Sequence, residues 1–374
     1  MHSLPGKKSG IPPKKRPSAW HLILVVVGLF VLVWIYLWFP TQITYQIDEI
    51  YTIKNNHPEP VLVSLASLLP TSGPGQTVSK PEISWPNSTQ TAHLLAPAGH
   101  PTVQILELQP ASVSSELRAV IHYQVQINSG ALTWLGAADE AFLQPSPGIE
   151  SDADEIIALA QQLGSGQERA NLYERYRYTA AALSWPTEDR INVQPSALEA
   201  LRTGIGGCNE FANLLTAINR AAGVPAYTIS GLAFPSIMLP YINNTATWSH
   251  PAGAHAWTAF KTSQGWQLAD ASWASQGPDL LYYGRNDGSH LAYAEQEAEK
   301  AAYQEMLTWV YEQGELVTAM SAPLKFAVAA ESGGVAVTPS VRVRISQDGR
   351  WNNVLLALAV MILLSQIVTH ALRK

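Results

Sequence analysis

The sequence predicts an α+β protein. A helix that begins at a cysteine packs on an antiparallel sheet carrying a histidine and an aspartate. A β-sandwich precedes this core, and transmembrane helices flank the whole at both ends. Three observations predict it: both ends of the 374-residue chain carry long apolar runs, residues 43–143 alternate as strands do, and the single cysteine, Cys208, stands between two glycines and a helical apolar pattern, ahead of His255 and Asp270.

Leu22 to Phe39 is an unbroken apolar run of 18 residues, long enough to span a bilayer as a helix. Trp20, Trp34, Tyr36 and Trp38 suit its two interfaces. Lys7, Lys8, Lys14, Lys15 and Arg16 precede it with no acidic residue, so residues 1–19 read as a basic cytoplasmic tail and 20–40 as the first span. A cleaved signal peptide is the alternative, but Pro40-Thr41-Gln42-Ile43 offers no small-x-small site, which favours an uncleaved anchor. Val354 to Leu372, interrupted by Ser365, Gln366, Thr369 and His370, reads as a second span within 351–374, with a docked C-terminal helix as the alternative. Two spans place residues 41–350 outside the cytoplasm, at an inner or plasma membrane.

Seven of the 23 basic residues lie in the flanks and all 29 acidic residues lie between them, so the segment 41–350 carries a net charge of −13. That surface argues against nucleic acid as a partner and against docking on anionic lipid. One cysteine permits no internal disulfide. An exported lone thiol is exposed to oxidation, so its presence points to chemical use.

Residues 41–147 read as a β-sandwich-like domain of about seven strands. Val61-Leu62-Val63-Ser64-Leu65, Thr102 to Leu108 and Ala119 to Ile127 are examples, the last alternating well enough for a half-buried strand. Gln144-Pro145-Ser146-Pro147-Gly148 is a linker, and residues 148–290 form the core. Helices are expected from Ser151 with acids in the first turn, over Glu168 to Tyr178, and near Ser196 to Leu201. Residues 291–350 read as a helix over Leu291 to Glu312 and a hairpin of Lys325 to Ala330 with Val335 to Ile345, split by Ser332-Gly333-Gly334. That hairpin either extends a domain's sheet or bridges to the second span.

The chemistry concentrates in three short stretches. Phe211, Leu214, Leu215 and Ile218 repeat at helical spacing from Cys208, and Gly223 marks the stop, so Cys208 lies in the first turn of a helix of about four turns. The free amides and dipole there favour a thiolate. Gly206 and Gly207 clear space for a substrate backbone, and the Cys208 amide is placed to donate to an oxyanion. Ala254 to Phe260 and Trp266 to Trp273 read as strands around Lys261-Thr262-Ser263-Gln264-Gly265. A four-residue loop pairs Phe260 with Gly265 and sets His255 opposite Asp270, where the carboxylate fixes the imidazole tautomer. A one-residue slip would put the two on opposite faces. Phe234 to Pro240, with Trp248 and His250, forms either a cleft wall or an ordinary surface insertion.

Gly-Gly-Cys-Asn-Glu-Phe-Ala-Asn-Leu-Leu, Asn-Arg-Ala-Ala-Gly-Val-Pro-Ala-Tyr, His-Ala-Trp and Gly-Trp-Gln-Leu-Ala-Asp-Ala-Ser-Trp together resemble the transglutaminase-like superfamily, the papain-related cysteine enzymes, over about residues 150–290. The resemblance implies a papain-like transglutaminase core of a bacterial, membrane-anchored kind, with Cys208 as nucleophile, His255 as general base and acid, and Asp270 as the orienting carboxylate. Asp270-Ala271-Ser272 departs mildly from the family's Asp-Pro-Thr or Asp-Ala-Thr. Trp185 and Tyr178 are candidates for the second oxyanion donor. The implied function is a cysteine peptidase, amidase or acyltransferase that forms a Cys208 thioester with a peptide or side-chain amide, protein or peptide substrates of the cell envelope included. Hydrolysis is favoured over cross-linking because water is the default acceptor. The alternative is a catalytically inactive scaffold tethered to the membrane. No calcium loop, zinc-ligand spacing or P-loop is visible, so no metal or cofactor is expected.

Overall fold

The computed structural model describes residues 42–349 apart from 71, 73–74, 86–92, 96–103, 129–138, 165, 187–195, 234–244, 249–252, 278, 285, 287 and 322–324, and outside that stretch residues 27–31, 355, 358–359, 362 and 366. The chain divides into two compact units, Met1–Phe39 with Arg350–Lys374, and Pro40–Gly349. In the first, residues 27–31 are helical with Leu29 and Phe30 exposed, and Leu355, Leu358 and Ile362 are exposed helical positions. Among the described residues no helix is long and apolar enough to cross a membrane. The apolar runs expected to span at 20–40 and 351–374 lie largely outside the described residues.

The second unit begins with strands β1 (Gln42–Asn55), β2 (Val61–Leu69), β3 (Gln76–Val78), β4 (Glu82–Ser84), β5 (His93–Leu95), β6 (Gln104–Val113) and β7 (Glu116–Asn128). Helices α1 (Asp154–Gln162), α2 (Glu168–Ala182), α3 (Ala197–Thr203) and α4 (Cys208–Ala221) follow. Next come β8 (Ala226–Ala233), β9 (Thr245–Trp248), β10 (Ala254–Thr262), β11 (Gly265–Ala269), the short helix α5 (Ala271–Ala274) and β12 (His290–Glu295). Helix α6 (Gln296–Gln313) and strands β13 (Glu315–Ser321), β14 (Lys325–Ala330) and β15 (Val335–Asp348) close it.

Three antiparallel sheets result. The first runs β3-β7-β1-β15-β9 with β4 also on β7, the second β13-β14-β2-β6-β5, and the third β11-β10-β8-β12. The first two share one apolar core, in which Ile43, Tyr45 and Ile47 alternate inward from β1 and Phe326, Ala327 and Val328 enter from β14. Helix α6 adds Ala302, Met306 and Val310 to it. In the third sheet, Phe260 faces the helical core of α1 to α4, and Tyr227, Trp257 and Trp266 form a separate cluster.

Strands β13 to β15 change the expected arrangement. β14 and β15 were expected to form a hairpin, yet β14 pairs with β2 and β13, and β15 pairs with β1 and β9. All six residues of β14 are buried, the mark of a central strand with both edges taken. The turn at Ser332-Gly333-Gly334 therefore carries the chain from one sheet to the other. The β-rich module thus encloses the core segment in sequence rather than only preceding it. A second difference lies at residues 290–295, expected to be core end and helix start. They form β12, because Leu291 and Tyr293 bury against β8 and the first core, and that packing outweighs the local helix propensity of Ala and Glu. β15 runs along the whole of β1, so the ends of the unit leave side by side, with Gly349 N donating to Gln42 O at 2.7 Å.

Candidate active site

Helix α4 starts where the sequence places it. Gly207 is its N-cap, and the Glu210 carboxylate reaches back to accept from Gly207 N at 2.9 Å. Gly206 has a packing reason of its own, since a Cβ there would collide with Glu210 Cβ. The substrate-clearance role expected for the pair is thus left to Gly207, where the nearest atom to an added Cβ is Glu210 Oε2 at 3.5 Å. A parallel bridge between Ser184 and Ile205 ties down the approach to the helix, with Gly206 N donating to Ser184 O and Ser184 N to Gly204 O. Eleven consecutive residues from Glu210 to Arg220 are buried, so the helix is central, and its end at Gly223 has φ of 77°. A polar seam fixes its rotation against the sheet: Thr258 Oγ1 donates to Ala212 O at 3.0 Å, and Thr228 Oγ1 to Asn213 Oδ1 at 2.9 Å. Thr258 lies three residues from His255, and Ala212 one turn from Cys208. The seam therefore registers thiol against imidazole. Cys208 is part-exposed and close enough to the His255 side chain to help raise its proton affinity.

The hairpin differs from expectation by two residues. Thr262 pairs with Gly265 across a Ser263-Gln264 turn, and the ladder ends at Thr258 with Ala269. His255 lies beyond that ladder and pairs with Gly231 of β8 instead. An even displacement keeps the side-chain face. Asp270 then leaves the strand as the N-cap of α5, and its Oδ2 lies 2.8 Å from His255 Nε2. The expected contact is present through a different backbone route.

Asp270 is 3% exposed and five groups donate to it. Oδ1 accepts from Ser272 N at 2.9 Å, Trp273 N at 3.1 Å and Ser272 Oγ at 2.6 Å. Oδ2 accepts from His255 Nε2 at 2.8 Å and from His290 Nε2 at 3.1 Å. Burial alone would raise the carboxyl, but the His255 charge and the two imidazole N–H groups hold it well below the usual carboxylate range. Burial likewise opposes a charged His255. The Asp270 charge and hydrogen bond, with Cys208 on the other side, outweigh it and raise the imidazole from 6.5 to about 10. With Nε2 on Asp270, Nδ1 is the ring nitrogen left for the thiol. Trp273 lies 5.3 Å from the His255 ring and 4.7 Å from the His290 ring, walling the imidazoles from solvent.

His290 is a site residue that the sequence does not mark, because the run from Leu291 has the composition of a helix. The alternation His290-Leu291-Ala292-Tyr293 after Asp287-Gly288-Ser289 is the signal that could have marked a strand start. Trp185 is 42% exposed and its indole N–H donates to Ser275 Oγ at 3.3 Å, whereas Tyr178 packs against the helical core. His250 and residues 234–240 lie outside the described residues, and β9 carries Trp248 to the edge of the first sheet. His255, Asp270 and His290 also offer three potential metal-ligand atoms within 4.8 Å of one another. Both imidazoles already direct that nitrogen at one carboxylate oxygen, so a cation would have to replace those two protons.

Residues 157–271 match the model of the transglutaminase-like superfamily. The chain carries a transglutaminase-like core. A candidate cysteine protease from Cytophaga hutchinsonii is similar in structure over 83% of this chain and 93% of its own, at 15% identity and a TM-score of 0.49. The periplasmic domain of TgpA from Pseudomonas aeruginosa matches 60% of this chain and 87% of its own, at 14% identity and a TM-score of 0.33. No curated protein matches the sequence. Within the transglutaminase-like core, Cys208 opens α4, His255 rides β10 and Asp270 caps α5, while His290 comes from a strand beyond the matched residues.

Proposed function

We propose that this chain is a membrane-anchored, extracytoplasmic thiol enzyme that cleaves or transfers peptide or side-chain amides through a thioester on Cys208. The observation that carries the reading is the buried His255–Asp270 hydrogen bond at 2.8 Å beside Cys208 at the start of α4. The Asp270 carboxylate stabilises the His255 imidazolium, the proton donor that the leaving amine needs. In the first half-reaction Cys208 Sγ attacks the carbonyl carbon. The C–N bond breaks, the His255 proton passes to the leaving amine, and a thioester remains. Water then gives a proton to His255 and its oxygen to the acyl carbon. The acid departs and that proton returns with the released thiol. An amine in place of water would give transamidation by the same residues, and hydrolysis is favoured because water is the abundant acceptor. Protein or peptide material of the cell envelope is the substrate class this placement favours. The apolar runs at 20–40 and 351–374 support anchoring with the N-terminus cytoplasmic, and the adjacent ends of the unit suit two anchors in one bilayer.

The test is the rate of Cys208 alkylation by iodoacetamide against pH, in the full-length chain and in His255→Ala. Fast alkylation well below the ordinary thiol pKa of about 8.5, lost without His255, is the expected result. A thiol of ordinary reactivity that ignores His255 would favour an inactive scaffold.

A further inference from the structure

The triad path does not use His290, which is buried and donates to the same Asp270 oxygen as His255. We propose that His290 is a positioning residue that shares the charge of Asp270 Oδ2 with His255, weakening the carboxylate's hold on the His255 proton so that the base can release it during acyl transfer. This deepens the thiol-enzyme reading of the site and rests on it.

Two N–H donors on one oxygen compete for the same negative charge. The His290 donor binds more strongly when His255 is neutral than when His255 is an imidazolium already drawing on that charge. It therefore favours the neutral base, and its N–H dipole also presents a positive end to the neighbouring imidazolium. The ring centroids lie 5.5 Å apart, close enough for that opposition. The groups facing His255 and Asp270 are Cys208 from α4, Ser272 from α5, His290 from β12 and Tyr176 from α2, with the Trp257 and Trp273 rings around them. No lysine or arginine is among these groups. His290 is thus the group placed to moderate the pair. A general base must give up its proton in each turnover, and a lone imidazole–carboxylate pair in a dry site would hold that proton more tightly still.

The position of His290 is set from outside the core. Tyr45 OH donates to Gly288 O at 2.6 Å. Gln76 holds both sides of the Ala292 peptide, donating to its oxygen at 2.7 Å and accepting from its nitrogen at 2.9 Å. On the other side Gly231 lets β12 close on β8, since a Cβ there would run into the Leu291 carbonyl. The β-rich module therefore grips β12 on both flanks of His290. That gives the module a part in the site beyond bulk support.

The test follows the His255 imidazole by carbon-13 NMR against pH in a Cys208→Ala background, where removal of the thiol brings its titration into an accessible range. His290→Phe keeps size and removes the donor, whereas His290→Gln keeps an N–H near the Nε2 position. The expected result is a His255 titration about one pH unit higher in His290→Phe, as for loss of one hydrogen bond to a charged group, and restored in His290→Gln. An unchanged or lower titration in a folded His290→Phe would overturn the inference. If His290→Phe does not fold, the His290 ring N–H proton, assigned by its loss in His290→Gln, decides. It should move downfield as His255 deprotonates, and a signal indifferent to His255 would overturn the proposal. Alkylation of the wild-type thiol, measured alongside, separates the two levels. An unactivated thiol removes the enzyme reading, whereas an activated thiol with an indifferent His290 removes only this inference.

Discussion

Asp270 and Glu49 are both buried carboxyl groups with at least four hydrogen-bond donors each, and their proton affinities move in opposite directions. Glu49, in the core of the β-rich module, accepts among the described residues from hydroxyls alone: Tyr51 at 2.8 Å, Ser67 at 2.9 Å, Tyr123 at 2.7 Å and Tyr293 at 3.2 Å. Burial outweighs those bonds and raises it. Asp270 adds a charged imidazole and two helix-start amides, and it is lowered. The number of donors therefore does not decide ionisation in a buried site; a cationic partner and oriented backbone amides do. One carboxylate is built to carry charge, and the other is built to cross-link strands while tolerating a proton.

His255→Ala should slow Cys208 alkylation at pH 6 by about 100-fold, because a thiol of pKa about 8.5 is almost wholly protonated there. Equal rates would remove the cationic partner from the account. The next effect concerns stability at alkaline pH. His255 is raised to about 10 in the folded chain from 6.5, so its contribution is complete below pH 6.5 and is lost as pH rises through about 10. Urea midpoints should fall across that window in the wild type and fall less in His255→Ala. Asp270 has the reverse sign: lowered on folding, its contribution is present above the ordinary carboxylate range and is lost as pH falls into acid. Asp270→Asn should flatten the acid limb. Glu49 is raised above 4.5, so the folded chain holds a proton the unfolded chain has shed, and its contribution declines as pH rises above that value. Glu49→Gln should remove that decline, and an unchanged slope in urea midpoints would show Glu49 ionised like Asp270. The smallest effect is Tyr51→Phe, which deletes one hydroxyl from the Glu49 cluster and should cost about 1–2 kcal/mol in urea unfolding.

Sequence reading reached the site unevenly, for physical reasons. Cys208 and α4 were legible because a 3.6-residue apolar period and flanking glycines are local signals. The contact of His255 with Asp270 was legible through strand parity, although the turn proved two residues long rather than four. Lys261-Thr262-Ser263-Gln264-Gly265 fits either length, and an even error leaves the face unchanged. His290 was hidden because its partner lies 20 residues away, and because tertiary pairing with β8 turns a helix-prone stretch into β12. The pairing of β1 with β15 was hidden for the same reason on a larger scale. Alternation identifies a strand without naming its neighbour, so the enclosure of the core by the β-rich module could not be read from pattern.

Asp270 keeps His255 charged beside the thiol. The most direct measurement is the pH titration of the His255 imidazole in the full-length wild-type chain, labelled with carbon-13 histidine and assigned by His255→Gln. The account predicts an imidazolium that persists through neutral pH and loses its proton only near pH 10. A His255 that titrates near 6.5, the ordinary imidazole value, would contradict it.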